Sequence, residues 1–211
     1  MPMSDPHRRR LPREERREEV LEAALRLFAH RDVESVAMHE LAKECGASPA
    51  LVYHYFGDKH RLASAALGRA ADELISRMST DPEDPVSVQL LVGLDVYLEY
   101  LRDHPVSWKA LLTAGGARDP ELADIARRVD DHVVGLCLRA LEVSSPPLAL
   151  DLALRGWLEL VKSVCLRWLR TGQPDQATVQ TLLAGAFFGC VEAAVAADPV
   201  CTPILDRLES E

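Results

Sequence analysis

Isoleucine occurs three times in 211 residues, and aromatic residues make up only 5% of the chain. The alternation of Val, Ile, Thr and aromatics that marks half-buried strands is almost absent, which argues against a β-rich fold. Cysteine is scarce and badly spaced for cross-linking. The five thiols, Cys45, Cys137, Cys165, Cys190 and Cys201, are odd in number and include no C-x-x-C pair. That excludes a disulfide framework and ordinary zinc-finger spacing, and it fits a reducing compartment. The longest uncharged run, Gln176 to Val191, has 16 residues and contains Gln and Thr, whereas a membrane span needs about 18–20 apolar residues. No apolar segment follows the Arg-rich start, so no secretory signal is expected. These absences together predict a soluble, cytoplasmic protein with no membrane partner.

Catalytic signatures are missing as well. There is no H-E-x-x-H, no G-x-S-x-G, no phosphate-binding glycine loop and no paired-carboxylate motif. Glu99, Asp103 and His104 cluster in sequence, as do Asp130, Asp131 and His132, but charged helix surfaces look the same. No enzymatic activity, metal or cofactor is expected.

Leucine (32) and alanine (27) dominate what is present, and both are strong helix formers. An all-α chain of about nine helices follows. The net charge of -9 is unevenly spread: residues 1–80 carry 13 basic and 13 acidic side chains, and residues 81–211 carry 11 and 20. A neutral first third with local Arg clusters, joined to an acidic remainder, implies two parts with different partners.

Periodicity and breakers place the elements. Val20, Ala24, Leu27 and Phe28 form one apolar face of a first helix beginning near Arg13. A second helix runs from about Ala37 to Cys45 and stops at Gly46, which tolerates positive φ. Ser48-Pro49 restarts a third, with Ser as N-cap and Pro at the first helical position, ending near Gly57. Asp58 caps a fourth helix, Lys59 to about Met78. STDPEDP at 79–85 marks a boundary. Five more helices follow, over about 86–102, 106–114, 120–143, 148–170 and 176–197, with a tail from Asp198 that reads as irregular or a short turn.

Two short helices joined by a Gly-containing turn form a helix-turn-helix, whose second helix enters the DNA major groove. Leu41, Ala42 and Leu51 supply its inner contacts. Its outward face offers Ala47, Ser48, Ala50, Val52, Tyr53 and His54. With the V-Y-H-Y-F cluster, Lys59 and the preceding L-F-A, this segment resembles the TetR family of bacterial repressors. Ala24, Leu27, Phe28, Leu41, Ala42, Gly46, Ala47, Ser48, Val52, Tyr53, Tyr55, Phe56, Lys59 and Leu62 fall at matching positions. Two positions depart from the pattern. Ala37 stands where the family commonly has a capping Thr, with Ser35 as a substitute cap, and Asp32 stands where a Gly often ends the first helix. Asp can also adopt the left-handed conformation.

By resemblance, Tyr53 and Lys59 contact phosphates, the latter at a helix N-terminus. Ser48, Ala50, Val52 and His54 lie nearest the base edges. None is Arg, Asn or Gln, so specificity would rest on thymine methyls, His54 or DNA shape. Arg8, Arg9, Arg10 and Arg13 supply a basic arm. The implied organisation is a flexible arm over 1–12, a DNA-binding domain over 13–60, a linking helix over 61–80 and a ligand-binding and dimerisation domain over 81–211.

The implied partners are a palindromic double-stranded operator, a second copy of the chain and a hydrophobic small-molecule effector. Pocket candidates are Tyr97, Tyr100, Leu101, Trp108, Leu111, Leu112, Val133, Leu136, Cys137, Trp157 and Val161. The excess acid of this part favours a cationic lipophile. Dimer candidates are Leu154, Leu158, Cys165, Trp168, Leu182, Gly185, Ala186, Gly189 and Cys190, whose surplus apolar surface a four-helix bundle would bury. The expected function is a ligand-released repressor. The competing reading is an all-α small-molecule-binding or enzymatic module with a non-functional helix-turn-helix.

Overall fold

The computed structural model describes residues 12–113 and 120–208. Among the described residues the regular structure is helical: α1 (Arg13–His30), α2 (Met38–Glu44), α3 (Pro49–Phe56), α4 (Lys59–Arg77), α5 (Val86–Asp103), α6 (Pro105–Leu112), α7 (Pro120–Ala140), α8 (Leu148–Thr171), α9 (Gln176–Ala197) and α10 (Thr202–Leu208). The tail is therefore more ordered than its two prolines suggest. Cys201 and Ile204 are buried in the main core, and that burial holds α10 in place.

Two cores form, and the division between them falls inside α4. Val20, Ala24, Phe28, Leu41, Val52, Phe56, Leu62 and Ala66 build the smaller one. Leu67, the next residue, and Leu74 further along α4 belong to the larger core with α5 to α10, as does Met78 at the C-cap of α4. A single rigid helix thus has one end in each core. A second tie joins the parts: the buried Ser107 hydroxyl of α6 donates to the Phe28 carbonyl of α1 at 2.9 Å. Phe28 lies in the last turn of α1, where carbonyls lack intrahelical donors.

Helix ends follow local chemistry. Gly46, Gly57 and Gly172 take positive φ of 56°, 81° and 65° at helix stops, as residues without Cβ do most readily. Ser48 Oγ accepts from Leu51 N at 3.2 Å, and Asp58 Oδ1 accepts from Arg61 N at 2.8 Å. Asp58→Ala removes the α4 cap and is expected to cost about 1 kcal/mol. Urea unfolding with no loss of midpoint would contradict that role.

The two departures near α2 resolve differently from expectation. Asp32 sits at φ -58°, ψ 137°, so no left-handed residue is needed there. Ser35 does not cap α2, because its hydroxyl donates to the Asp32 carbonyl at 2.7 Å. Ala37 is the N-cap residue, and no side chain caps α2 there.

In the larger part α8 and α9 form an antiparallel hairpin. Trp157 Nε1 donates to the Leu183 carbonyl and Trp168 Nε1 to the Pro174 carbonyl, both at 2.9 Å. α5 lies along α9, where Gln176 Nε2 donates to Asp95 and Gln180 Nε2 to the Leu91 carbonyl. By length and composition α9 is apolar enough to cross a membrane. Its inward side, however, is Val179, Leu183, Phe187 and Val191 in the core, and its outward side is rich in Ala and Gly.

Candidate nucleic-acid interface and interior cavity

The first site is built on α3. Val52 is 0% exposed and Phe56 is buried, which fixes one side of the helix against α1, α2 and α4. The opposite side presents Ser48, Ala50, Tyr53 and His54 to solvent, with Tyr53 49% exposed. Val52 is thus a correction: placing it at the base edges mistook a core anchor for an outward residue, because on a helix it stands three positions from Pro49 but four from Phe56 on the buried side. Ala47 is half-buried and packs on the same core.

Lys59 opens α4 beside this face. Its ammonium reaches the Glu34 carbonyl at 3.4 Å and the Glu34 carboxylate at 3.5 Å, and His60 approaches the same carboxylate. Glu34 was not singled out in the sequence, since nothing local relates it to a residue 25 positions later. Arg16 of α1 donates to the Gly46 carbonyl at 2.5 Å, and Arg17 lies over the Phe56 ring at 5.0 Å. These two α1 arginines also escaped the sequence reading. Arg13 is exposed at the start of α1, and Arg8, Arg9 and Arg10 lie outside the described residues.

The second site is an apolar pocket within the larger part that opens to solvent, with about 600 Å³ of space free of protein atoms lying in it and in front of its mouth. Of the pocket candidates, Tyr97, Val133, Leu136, Cys137, Trp157 and Val161 line it. Tyr100, Leu101, Trp108 and Leu111 do not: they are buried behind the wall in the same core, and Leu112 is half-buried against it. The register of α5 explains the difference. Val86, Leu90, Gly93, Leu94 and Tyr97 share one stripe along the cavity, while Tyr100 and Leu101 lie beyond its end. Tyr100 turns to α4, where its hydroxyl donates to Glu73 at 3.2 Å and Arg77 lies over its ring.

Among the described residues no charged side chain lines this cavity. Burial pushes the Cys137 thiol up to about 12, so it contributes apolar surface rather than a thiolate. Leu158, placed by sequence at a dimer interface, is another wall residue, as are Met78 and Phe187. Among the described residues no three His, Cys, Asp or Glu side chains gather to hold a metal ion.

The helix hairpin supplies a third surface. Leu154, Cys165 and Trp168 are buried within the protomer, as is Leu158, and cannot meet a partner without unfolding it. They form the inward stripe of α8. The outward stripe is Leu148, Leu152, Gly156 and Leu160, four residues apart and exposed. On α9, Leu182, Gly185 and Gly189 are exposed and Ala186 and Cys190 half-buried.

Residues 20–66 match the family model of bacterial regulatory proteins, tetR family, and residues 86–190 match a tetracyclin repressor-like C-terminal domain. A tetR-family transcriptional regulator from Streptomyces coelicolor superposes with a TM-score of 0.89 at 30% identity, over 95% of this chain and 90% of that one. An uncharacterised HTH-type transcriptional regulator of Mycobacterium tuberculosis is 36% identical over 88 residues, 41% of this chain and 44% of that protein. The regulator BetI of Rhizobium meliloti is 36% identical over 84 residues, 37% of this chain and 41% of that protein. The alignments span less than half the length of these two curated relatives. Both parts of the molecule nevertheless match, and the solved relative matches nearly end to end. The chain belongs to the TetR family of transcriptional regulators.

Proposed function

We propose that this chain is a cytoplasmic, ligand-released repressor that binds a palindromic operator as a homodimer. The observation that carries this reading is the division of α4. Its N-terminus places Lys59 beside the exposed face of α3, and its other end, at Met78, forms part of the cavity wall. Filling the cavity would displace Met78, and a stiff helix would pass that displacement to the reading head. A change of about 1.4 kcal/mol in operator binding is tenfold in affinity, so modest coupling suffices.

Base readout in this scheme falls to Ser48, Ala50 and His54, with Tyr53 and Lys59 on phosphates. The outward stripes of α8 and α9 pair with those of a second copy into a four-helix bundle, setting two reading heads one helical turn or a multiple apart. The effector is hydrophobic, because the cavity is apolar.

The test is selection of binding sequences from fragmented genomic DNA, followed by fluorescence anisotropy of the enriched site at several salt concentrations. A palindrome bound with a steep salt slope is expected. Lys59→Ala should weaken binding and flatten the slope by about one. Tyr53→Ala should weaken binding without restoring it at any salt. Absence of any enriched sequence, or indifference to both substitutions, would remove the reading.

A further inference from the structure

The apolar cavity continues outward into a second, more polar groove. The two share Met78, Thr80, Gln89 and Leu136, and the groove adds Ser79, His132 and Arg139. His132, Leu136 and Arg139 stand at i, i+4 and i+7 on α7, so one helix face carries polar groups on both sides of an apolar gate. Arg127 and Arg128 of the same helix pair with Asp124 and Asp72, but Arg139 is exposed and forms no ion pair among the described residues. His132 Nε2 is buried with no hydrogen-bond partner among the described residues. Desolvation, reinforced by the charge of Arg139, lowers the pKa of that imidazole, which leaves it neutral and able to share a proton with an acceptor.

Acidic residues lie on the other side. Glu83, Asp84 and Glu142 line a neighbouring depression that meets the apolar cavity at Gln89 and Ala140 and the Arg139 groove at Pro82 and Gln89. The Gln89 amide is already engaged there, with Nε2 donating to the Asp84 carbonyl at 2.8 Å and Oε1 accepting from the Thr80 hydroxyl at 3.2 Å. The Gln89 amide, held by these two bonds, stands where the acidic depression, the groove and the cavity meet. The Arg139 side communicates with the cavity through Met78 and Leu136. The net acidity of this part favoured a cation, whereas the charged side chain that lines this groove among the described residues is Arg139.

We propose that the effector is an amphipathic carboxylate, its acyl chain in the apolar cavity and its carboxylate in the groove against Arg139 and His132. The proposal rests on the reading of the cavity as the effector site. A carboxylate is the headgroup that an unpaired guanidinium recognises in two-pronged geometry, and its second oxygen would satisfy the orphaned imidazole nitrogen.

The experiment uses the full chain with N-phenyl-1-naphthylamine, an uncharged reporter that fluoresces in apolar surroundings. Dodecanoate, methyl dodecanoate and dodecylamine compete for it at neutral pH, below their aggregation limits. Dodecanoate should displace the reporter at a concentration roughly tenfold lower than its ester, as one charge-assisted pair in a part-exposed groove implies. The amine should be weakest. Arg139→Gln should bring the acid to the level of the ester while reporter and ester binding stay unchanged, which also shows that the variant is folded. Equal displacement by acid and ester, preference for the amine, or an acid preference that survives Arg139→Gln would overturn the proposal. A reporter that fails to bind would remove the cavity reading, and this inference with it.

Discussion

Leu152→Glu is expected to turn the dimer into a monomer and to lower operator affinity by roughly 10²- to 10⁴-fold, the gain that linking two half-site contacts provides. Leu152 is 62% exposed in the protomer and Leu182, across the hairpin on α9, is 57% exposed. Gly156, Gly185 and Gly189 share these outward sides, and a Cβ built on any of them meets nothing within 4 Å. Their smallness serves no packing inside the chain. It would let the helices of a second copy approach closely. Two-fold symmetry doubles the effect of the substitution, since each interface then buries a pair of carboxylates without partners. Sedimentation equilibrium reads the assembly, and far-ultraviolet circular dichroism should be unchanged because the side chain contributes little to the protomer core. A dimer that persists would move the interface elsewhere, the exposed Val88, Leu91 and Val92 of α5 being the next apolar face.

Trp108→Ala should be among the most destabilising single substitutions, at about 3–5 kcal/mol. For a chain of this length that corresponds to a fall in Tm of roughly 10 °C. Trp108 is 2% exposed and packs edge-on against Tyr100, with ring centroids 5.7 Å apart, and tilted against Tyr97 at 6.2 Å. Tyr97 is itself a cavity wall. The residue before it, Ser107, holds the Phe28 carbonyl of α1, so the loss would be felt in both parts. Trp108→Phe provides the contrast. The indole N–H is buried with no acceptor among the described residues, and removing it offsets part of the lost volume, so the cost should stay under about 1.5 kcal/mol. Thermal unfolding of both variants tests the pair. An Ala variant within 1 kcal/mol of the parent, on the same scale, would mean that this wall collapses without penalty.

The positions of the helices were legible because their signals are local. Gly46, Ser48-Pro49, Gly57 and Asp58 each act within one turn of themselves, and all four do in the fold what their chemistry implies. The same locality explains the misassigned residues. On α8 the sequence shows a broad apolar surface, but both the inward stripe of Leu154, Leu158, Cys165 and Trp168 and the outward stripe of Leu148, Leu152 and Leu160 are apolar. Which stripe faces the core depends on where α7 and α9 lie. Val52 is a smaller instance: on a helix of eight residues, one rotation of about 100° separates anchor from reader.

What the sequence by itself determined is the all-α class, the reading motif and the partition into a neutral head and an acidic body, since composition, breakers and short-range spacing need no partner to act. Tertiary structure alone decided the lining of the cavity, the pairing of Lys59 with Glu34 and the seat of Ser107 on α1. Those contacts join residues 25 to 79 positions apart. It also decided that Arg139 lines the groove beside the cavity although this part of the chain is acidic as a whole. A helix fixes which residues share a face, but only packing against other helices determines which face is enclosed and which is exposed.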